Sequence, residues 1–472
     1  MRNFDTEVQY LKYRVLRSVS RRAFKGTLLK ELPDIPNEII PGPKPTTRCC
    51  IYKERAIVNE RIKMALGGNP DNPNVVEVIN IACDECPVAG YKVTESCRGC
   101  IAHRCEVACK FGAIYFDRNQ KACIDKEKCV ECGACAKVCP YSAISNSKRP
   151  CENACKVNAI KMDANHTAVI DNSKCIQCGA CVYQCPFGAI VDKSYILDVI
   201  EMLKNKEEVF AIIAPSISAQ FVKATFGQVI TGIKELGFKY VVEAALGADL
   251  VAYHEAQELV EKGFLTTSCC PAFVNYIKKN FPNLEKNISR NLSPMAAIAK
   301  VIKELHPNAK TVFIGPCTAK KAESKLEGVK EYVDCVLTFE ELIALFGAQE
   351  ISLKTLPETN LDDATLFGRC FARSGGVTEA VIQSIKEQNL NFEINPISCD
   401  GIENLKIALA KANKGLLPNN FIEGMVCSGG CIGGPCALTH AAKDRSLIDK
   451  HAATTSKKSI TKNINNIKFT EE

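Results

Sequence analysis

No apolar run in this 472-residue chain approaches the roughly 20 residues that a membrane-spanning helix requires, so no membrane span is expected. The dibasic stretch from Ser20 to Lys25 resembles a twin-arginine export signal. The next residues, Gly26 to Asp34, are charged, broken by Pro33 and lack an apolar h-region, so the reading is a cytoplasmic protein. Also missing is the wide cysteine spacing of a disulfide framework. The 28 cysteines fall mostly in close groups, which reads as metal ligation in a reducing compartment.

With 46% hydrophobic residues the chain has ample material for a sizeable core. Residues 1–75 pair a basic, helix-compatible segment (Tyr10 to Lys30) with a proline-rich stretch ending at Cys49-Cys50, and carry no readable motif. Residues 76–192 hold 17 cysteines, with short apolar segments such as Gly112 to Phe116 and Gly188 to Val191 after the groups. Tyr195 to Lys206 predicts a connector helix within 193–208. From 209 to 441 apolar runs (Val209 to Ile213, Thr311 to Ile314, Val333 to Leu337) alternate with amphipathic helical patterns, which predicts an α/β domain with largely parallel sheets. Thr338 and Glu341 form a capping box for a helix from Phe339 to Phe346. Residues 442–472, rich in Lys, Asn, Ser and Thr, are expected to form a mobile polar tail.

Two runs, Cys129, Cys132, Cys135 and Cys139-Pro140, and Cys175, Cys178, Cys181 and Cys185-Pro186, have the spacing C-x2-C-x2-C-x3-C-P. That spacing is specific for 4Fe-4S ligation: three thiolates on a tight turn reach one cube, and the fourth serves a neighbouring cluster. Cys97, Cys100, Cys105 and Cys109 form a variant with Ile101 to Arg104 in the middle, two residues longer, and Lys110 in place of proline. By the exchange rule one cluster takes Cys97, Cys100, Cys105 and Cys139, and its neighbour takes Cys109, Cys129, Cys132 and Cys135. A third takes Cys155, Cys175, Cys178 and Cys181. A fourth could take Cys83, Cys86, Cys151 and Cys185, the alternative being a vestigial half-motif. Cys49, Cys50 and Cys123 stay unassigned, with buried inert thiols as the default. The formal charge of +7 counts every thiol as neutral, whereas each such cluster adds about two negative charges, so no nucleic-acid partner is inferred.

Three further motifs lie downstream: Thr267-Ser268-Cys269-Cys270-Pro271, Pro316-Cys317 with Lys320 and Glu323, and Glu423, Met425, Cys427, Gly430 and Cys431. In this order they closely resemble the three signatures of the FeFe hydrogenases, over about residues 209–440, with the cysteine-rich region as the accessory ferredoxin-like domain. The resemblance implies an α/β hydrogenase domain preceded by α+β ferredoxin-like 4Fe-4S modules. It implies an H-cluster, a 4Fe-4S cube plus a di-iron subsite with CO, CN and dithiolate ligands, whose cube is held by Cys270, Cys317, Cys427 and Cys431, with Cys431 bridging to the di-iron subsite. It implies reversible H2 oxidation, three to four accessory clusters, a ferredoxin-like electron carrier and separate maturation proteins.

Splitting H2 calls for a proton path as well as an electron path. By the resemblance Cys269 passes protons, followed by Glu255, Ser289 and Glu258. Glu255, Glu258 and Lys262 share a helix face, although glutamates three apart are usually a solvated face. Ala214-Pro215-Ser216, Lys320 and Met425 match residues that contact the cofactor's diatomic ligands and surroundings. The chain departs from the best-known members at Gly315 (Met there), Met295 (Gln), Phe273 (Trp), Lys262 (Arg) and Gly433-Gly434-Pro435-Cys436, which resembles a less studied branch. A slow-turnover hydrogen sensor and an iron-sulphur scaffold without the di-iron unit are the alternatives. The first is disfavoured by the lack of a PAS-like, kinase or phosphatase segment, the second by the presence of Cys269, Lys320, Glu323 and Met425.

Overall fold

The computed structural model describes residues 4–467 other than 88 and 222. The α/β domain contains seven parallel strands: β1 (Val209–Ile213), β2 (Tyr240–Glu243), β3 (Leu265–Thr266), β4 (Lys310–Gly315), β5 (Cys335–Thr338), β6 (Pro396–Asp400) and β7 (Phe421–Met425). They form two sheets, ordered β2-β1-β4-β5 and β3-β7-β6. Every residue of β1 and β7 is buried, as expected of parallel strands covered on both faces. The Thr338–Glu341 capping box is formed, and its helix runs Phe339–Ala348. The connector helix is Ile196–Lys204.

The cysteine-rich region is built from short antiparallel pairs. Ile114–Phe116 pairs with Ala122–Ile124, Gly90–Val93 with Ile144–Ser147, Ile160–Met162 with Ala168–Ile170, and Val76–Val78 with Ile190–Asp192. Two-stranded pairs of three or four residues are marginal by themselves, so stability here depends on what holds the cysteine loops.

The N-terminal segment belongs to the α/β core. The helix Glu7–Lys25, capped by Thr6 and stopped at Gly26 (φ 73°), buries Val15, Leu16 and Val19 against it. The dibasic pair serves this packing: Arg22 bridges Glu31 and Glu38, and Arg21 bridges Glu350. At the same junction the partly buried Lys12 contacts Asp192 and Glu340, while Lys321 reaches Asp192 at 2.8 Å and Glu341 at 2.9 Å; these carboxylates and Lys321 are deeply buried, with Cys436 beside Asp192 and Glu340.

Two expectations are corrected. The tail folds back as helices Asp444–Ala453 and Ile460–Ile464: Ile448, Ala452 and Ile460 are fully buried, and Asn463 donates to Asp249 at 3.1 Å. Its few apolar residues are spaced to fall on inward faces, so low hydrophobicity does not leave it loose. Nor are the unassigned thiols buried. Cys49 is exposed and Cys50 and Cys123 are partly so, Cys50 because it is the N-cap of helix Ile51–Ala65. Backbone N–H groups of that first turn, Lys53 foremost, lower its thiol pKa. Cys335, Cys370, Cys399 and Cys436 are the buried ones outside the motifs. No helix among the described residues is long and apolar enough to cross a membrane.

Candidate metal centre

The cysteine loops exchange partners in space. Cys105 faces Cys100 and Cys139, whereas Cys135 faces Cys109 and Cys129, and Cys97 shares the small core of Cys105. Cys109, Cys129, Cys132 and Cys135 line one cavity, and Cys83, Cys86, Cys151 and Cys185 line another. Cys178 and Cys181 both face Cys175 and Cys155. All 28 cysteines are free thiols. Gathering neutral thiols this way is unfavourable for their ionisation: burial first and neighbouring thiols second push Cys151 and Cys178 up to about 12. Four sulphurs converging in a small cavity without a disulfide is a donor set that fits a soft iron-sulphur cube.

The Cys175–Cys181 loop is clamped to the α/β domain. Thr318 Oγ1 donates to the Gln177 carbonyl at 2.9 Å, and Lys279 Nζ donates to those of Asn172 and Cys175 at 2.9 and 2.7 Å. Gly179, at φ 75°, is required there, because a Cβ would lie 2.5 Å from Thr318 Oγ1. Cys178 consequently faces Cys270 and Cys427 across the junction.

Cys270 follows β3, Cys317 follows β4, and Cys427 and Cys431 follow β7, so all four stand beyond the carboxyl ends of parallel strands, where open α/β sheets place their sites. Cys270 and Cys317 are also N-caps of the helices Pro271–Asn280 and Thr318–Glu323. Cys427 faces Cys317, Cys270 and Cys431. Burial, then the neighbouring thiols, raise Cys317 to about 12; the Cys431 sulphur, enclosed among these thiols although the residue as a whole is exposed, is raised to about 11. Cys431 is exposed; the other three are partly buried. Glu423 fixes the end of β7, accepting from Gly375 N–H at 2.7 Å and from the Thr378 hydroxyl at 2.6 Å.

Beside this group Cys269 is held far above its ordinary thiol pKa, by burial and then by the charge of Glu255. Glu255 and Glu258 are 0% and 7% exposed, so these glutamates do not form a solvated face. Burial raises Glu255 to about 7; its Oε1 accepts from Ser268 N–H at 3.4 Å, and its Oε2 has no hydrogen-bond partner. Ser289 lies near enough to Glu255 to stabilise its carboxylate and donates through Oγ to Glu258 Oε2 at 3.0 Å. Glu258 also meets Lys262 Nζ at 2.6 Å, Asn291 Nδ2 at 2.9 Å and Arg290 N–H at 3.0 Å. Glu258 also lies 3.9 Å from the Arg290 guanidinium, whose side chain is 70% exposed, so the Ser289–Glu258 end of this group is near the surface. Asn291 and Arg290 carry one sequence signal only, adjacency to Ser289, and sequence reasoning passes them over.

Lys320 Nζ reaches the Cys269 carbonyl at 3.2 Å and Glu323 Oε2 at 2.7 Å. Burial alone would lower its pKa, but Glu323 lifts it above the ordinary lysine value, so it stays an ammonium. Ala214-Pro215-Ser216 follows β1, and Ser216 is fully buried with its hydroxyl unpartnered, an orphan polar group of the kind a bound ligand satisfies. Met425, 3% exposed, ends β7. Two departures compensate locally. A Cβ at Gly315 would lie 2.6 Å from the Phe313 ring, and one at Gly424 would lie 2.2 Å from that of Phe273, so each ring fills the space a glycine leaves.

Residues 207–435 match the family described as iron only hydrogenase large subunit, C-terminal domain. Residues 96–143 match a 4Fe-4S dicluster domain and 168–191 a 4Fe-4S binding domain. Iron hydrogenase 1 of Clostridium pasteurianum is 28% identical over 376 residues, covering 67% of this chain and 65% of that protein, just under two thirds of its length. The periplasmic [Fe] hydrogenase large subunit of Nitratidesulfovibrio vulgaris is 29% identical over 66% of this chain and 85% of its own. The cytosolic Fe-S cluster assembly factor NAR1 of Eremothecium gossypii is 33% identical over 28% of this chain and 31% of its own. With 4Fe-4S domains ahead of it and the three motifs at the carboxyl ends of its parallel strands, the segment 207–435 is a domain of the FeFe hydrogenase family.

Proposed function

We propose that the chain is a cytoplasmic hydrogenase that interconverts H2 with protons and electrons, exchanging the electrons with a ferredoxin-like carrier. Cys270, Cys317, Cys427 and Cys431 would hold the cube of an H-cluster, and Ser216, Lys320 and Met425 would line its di-iron subsite, supplied by separate maturation proteins. When bound, that group supplies the redox chemistry of H2 cleavage and formation. The residues manage the proton. Cys269 exchanges it with Glu255, whose pKa of about 7 lets it give and take a proton near neutrality. Ser289, which donates to Glu258, stands between the two glutamates, and Lys262 and Arg290 contact Glu258 at the outer end. Lys320 keeps a positive charge beside the site, suited to anionic or acceptor ligands. Cys155, Cys175, Cys178 and Cys181, then Cys83, Cys86, Cys151 and Cys185, and the two sets within residues 97–139 would hold 4Fe-4S clusters, which would supply electron transfer between this site and the carrier.

The buried line from Cys269 to Glu258 carries this reading, because a protein that only stores or transfers a cluster has no use for a proton path. Infrared spectroscopy of protein made together with its maturation proteins tests it. Bands of iron-bound carbon monoxide and cyanide are expected. Their absence, with the cubes in place, favours an iron-sulphur assembly role, the second reading, which rests on the similarity to the assembly factor.

A further inference from the structure

The four-residue spacer of the first cysteine loop, Ile101 to Arg104, two residues longer than the regular one, builds a feature that the reaction does not use. His103 takes a left-handed conformation (φ 42°), stacks on Phe116 with ring centroids 3.8 Å apart and bonds Glu106 at 3.2 Å. That anchors the loop with Ile101 standing 99% exposed. Beside it lies an open groove with Cys139 in its wall, flanked by Val107 and Val138, 83% and 36% exposed. Two charged side chains line the groove, Arg104 and Lys137; the lining holds no carboxylate, and neither cation is ion-paired among the described residues.

Residues 90–147 pack chiefly among themselves, at the far end of the cysteine series from Cys178 and Cys270. The groove therefore stands where electrons enter or leave, against a thiol assigned to the first cluster. Over residues 96–143 eight Lys and Arg face five Asp and Glu. Two bound cubes would add about two negative charges each inside the domain, so the attraction comes from the local rim rather than from net charge. Apolar residues at the centre with cations at the rim form a surface that suits a partner with an acidic rim around its own apolar contact.

We infer that this groove is the docking site of the electron carrier, an acidic protein that presents its redox centre to Cys139, with Ile101 as the apolar contact and Arg104 and Lys137 as its charge partners. The inference rests on the electron-relay reading above. It is tested by titrating the cluster-loaded full chain with an acidic bacterial 2[4Fe-4S] ferredoxin in a calorimeter at two salt concentrations. Wild type is expected to bind, more weakly as salt rises. Arg104→Glu with Lys137→Glu should weaken binding at least tenfold, and Ile101→Asp several-fold. Val130→Asp, beside the other cluster of this domain, should leave the affinity unchanged. Methyl viologen needs no docking site, so H2 turnover with this dye reports the catalytic reading separately and should be the same in all these variants. No binding by wild type, an affinity indifferent to Arg104 and Lys137, or a loss confined to Val130→Asp overturns the docking site; lack of dye-linked turnover in wild type counts against the hydrogenase reading instead.

Discussion

Glu255 shows what burial does to a single group. Its carboxyl titrates at about 7 in the folded chain and near 4.5 when unfolded. Between those values the folded chain binds one more proton than the unfolded chain, so stability falls as pH rises from about 4.5 through 7. Glu255→Gln removes that cost: thermal denaturation should show the variant close to wild type near pH 4 and more stable at pH 8, by up to about 3 kcal/mol. The same variant should lose turnover, on the order of 10² to 10⁴-fold, the range for a lost proton-transfer group. A variant that gains stability and keeps its rate would leave Glu255 outside the proton path. The sequence alone could not decide this. The spacing of Glu255 and Glu258 places them on one helix face, but whether that face meets water depends on Ser289 and Asn291, which arrive from a distant loop.

Cysteine loops are legible because their geometry is local. Ligand spacing within a turn fixes which sulphurs can meet, and the facing of Cys105 toward Cys139 and of Cys135 toward Cys109 follows from it. The capping box at Thr338 and Glu341 is local as well. Contacts between elements leave no such trace. Lys12, Asp192, Lys321, Glu340 and Glu341 are each ordinary charged residues in the sequence, yet they join the N-terminal helix, the cysteine-rich region and the α/β domain in one buried network. Lys321→Met should cost about 3 to 5 kcal/mol, because Glu341 and Asp192 lose a buried partner. The check is a fall in thermal midpoint larger than that of Lys63→Met, whose ion pair with Glu60 is exposed. Equal falls would mean that the network adds nothing to stability. The tail escapes sequence reasoning for a related cause: Ile448, Ala452 and Ile460 are too few to read as a core until their partners are known.

At the scale of the molecule, the hydrogenase domain and the cysteine-rich region act as one unit through the clamp between Gln177 and Thr318 and the facing of Cys178 to Cys270. The shared cavity of Cys83, Cys86, Cys151 and Cys185 favours a complete fourth site over a vestigial one. Cys151→Ser should lower the iron content by about four atoms per chain, one cube. An unchanged iron content would return that motif to a remnant.

In the proposed reaction two adjacent cysteines divide the work, Cys270 holding iron and Cys269 moving protons. The decisive experiment is dye-linked H2 evolution by fully matured wild type and Cys269→Ala, with iron content and infrared bands measured on the same samples. Active wild type is expected, beside a variant with the same iron and with carbon monoxide and cyanide bands still present whose turnover has fallen at least 10²-fold. Wild type with the complete metal complement and no turnover, or a variant as fast as wild type, would contradict that division.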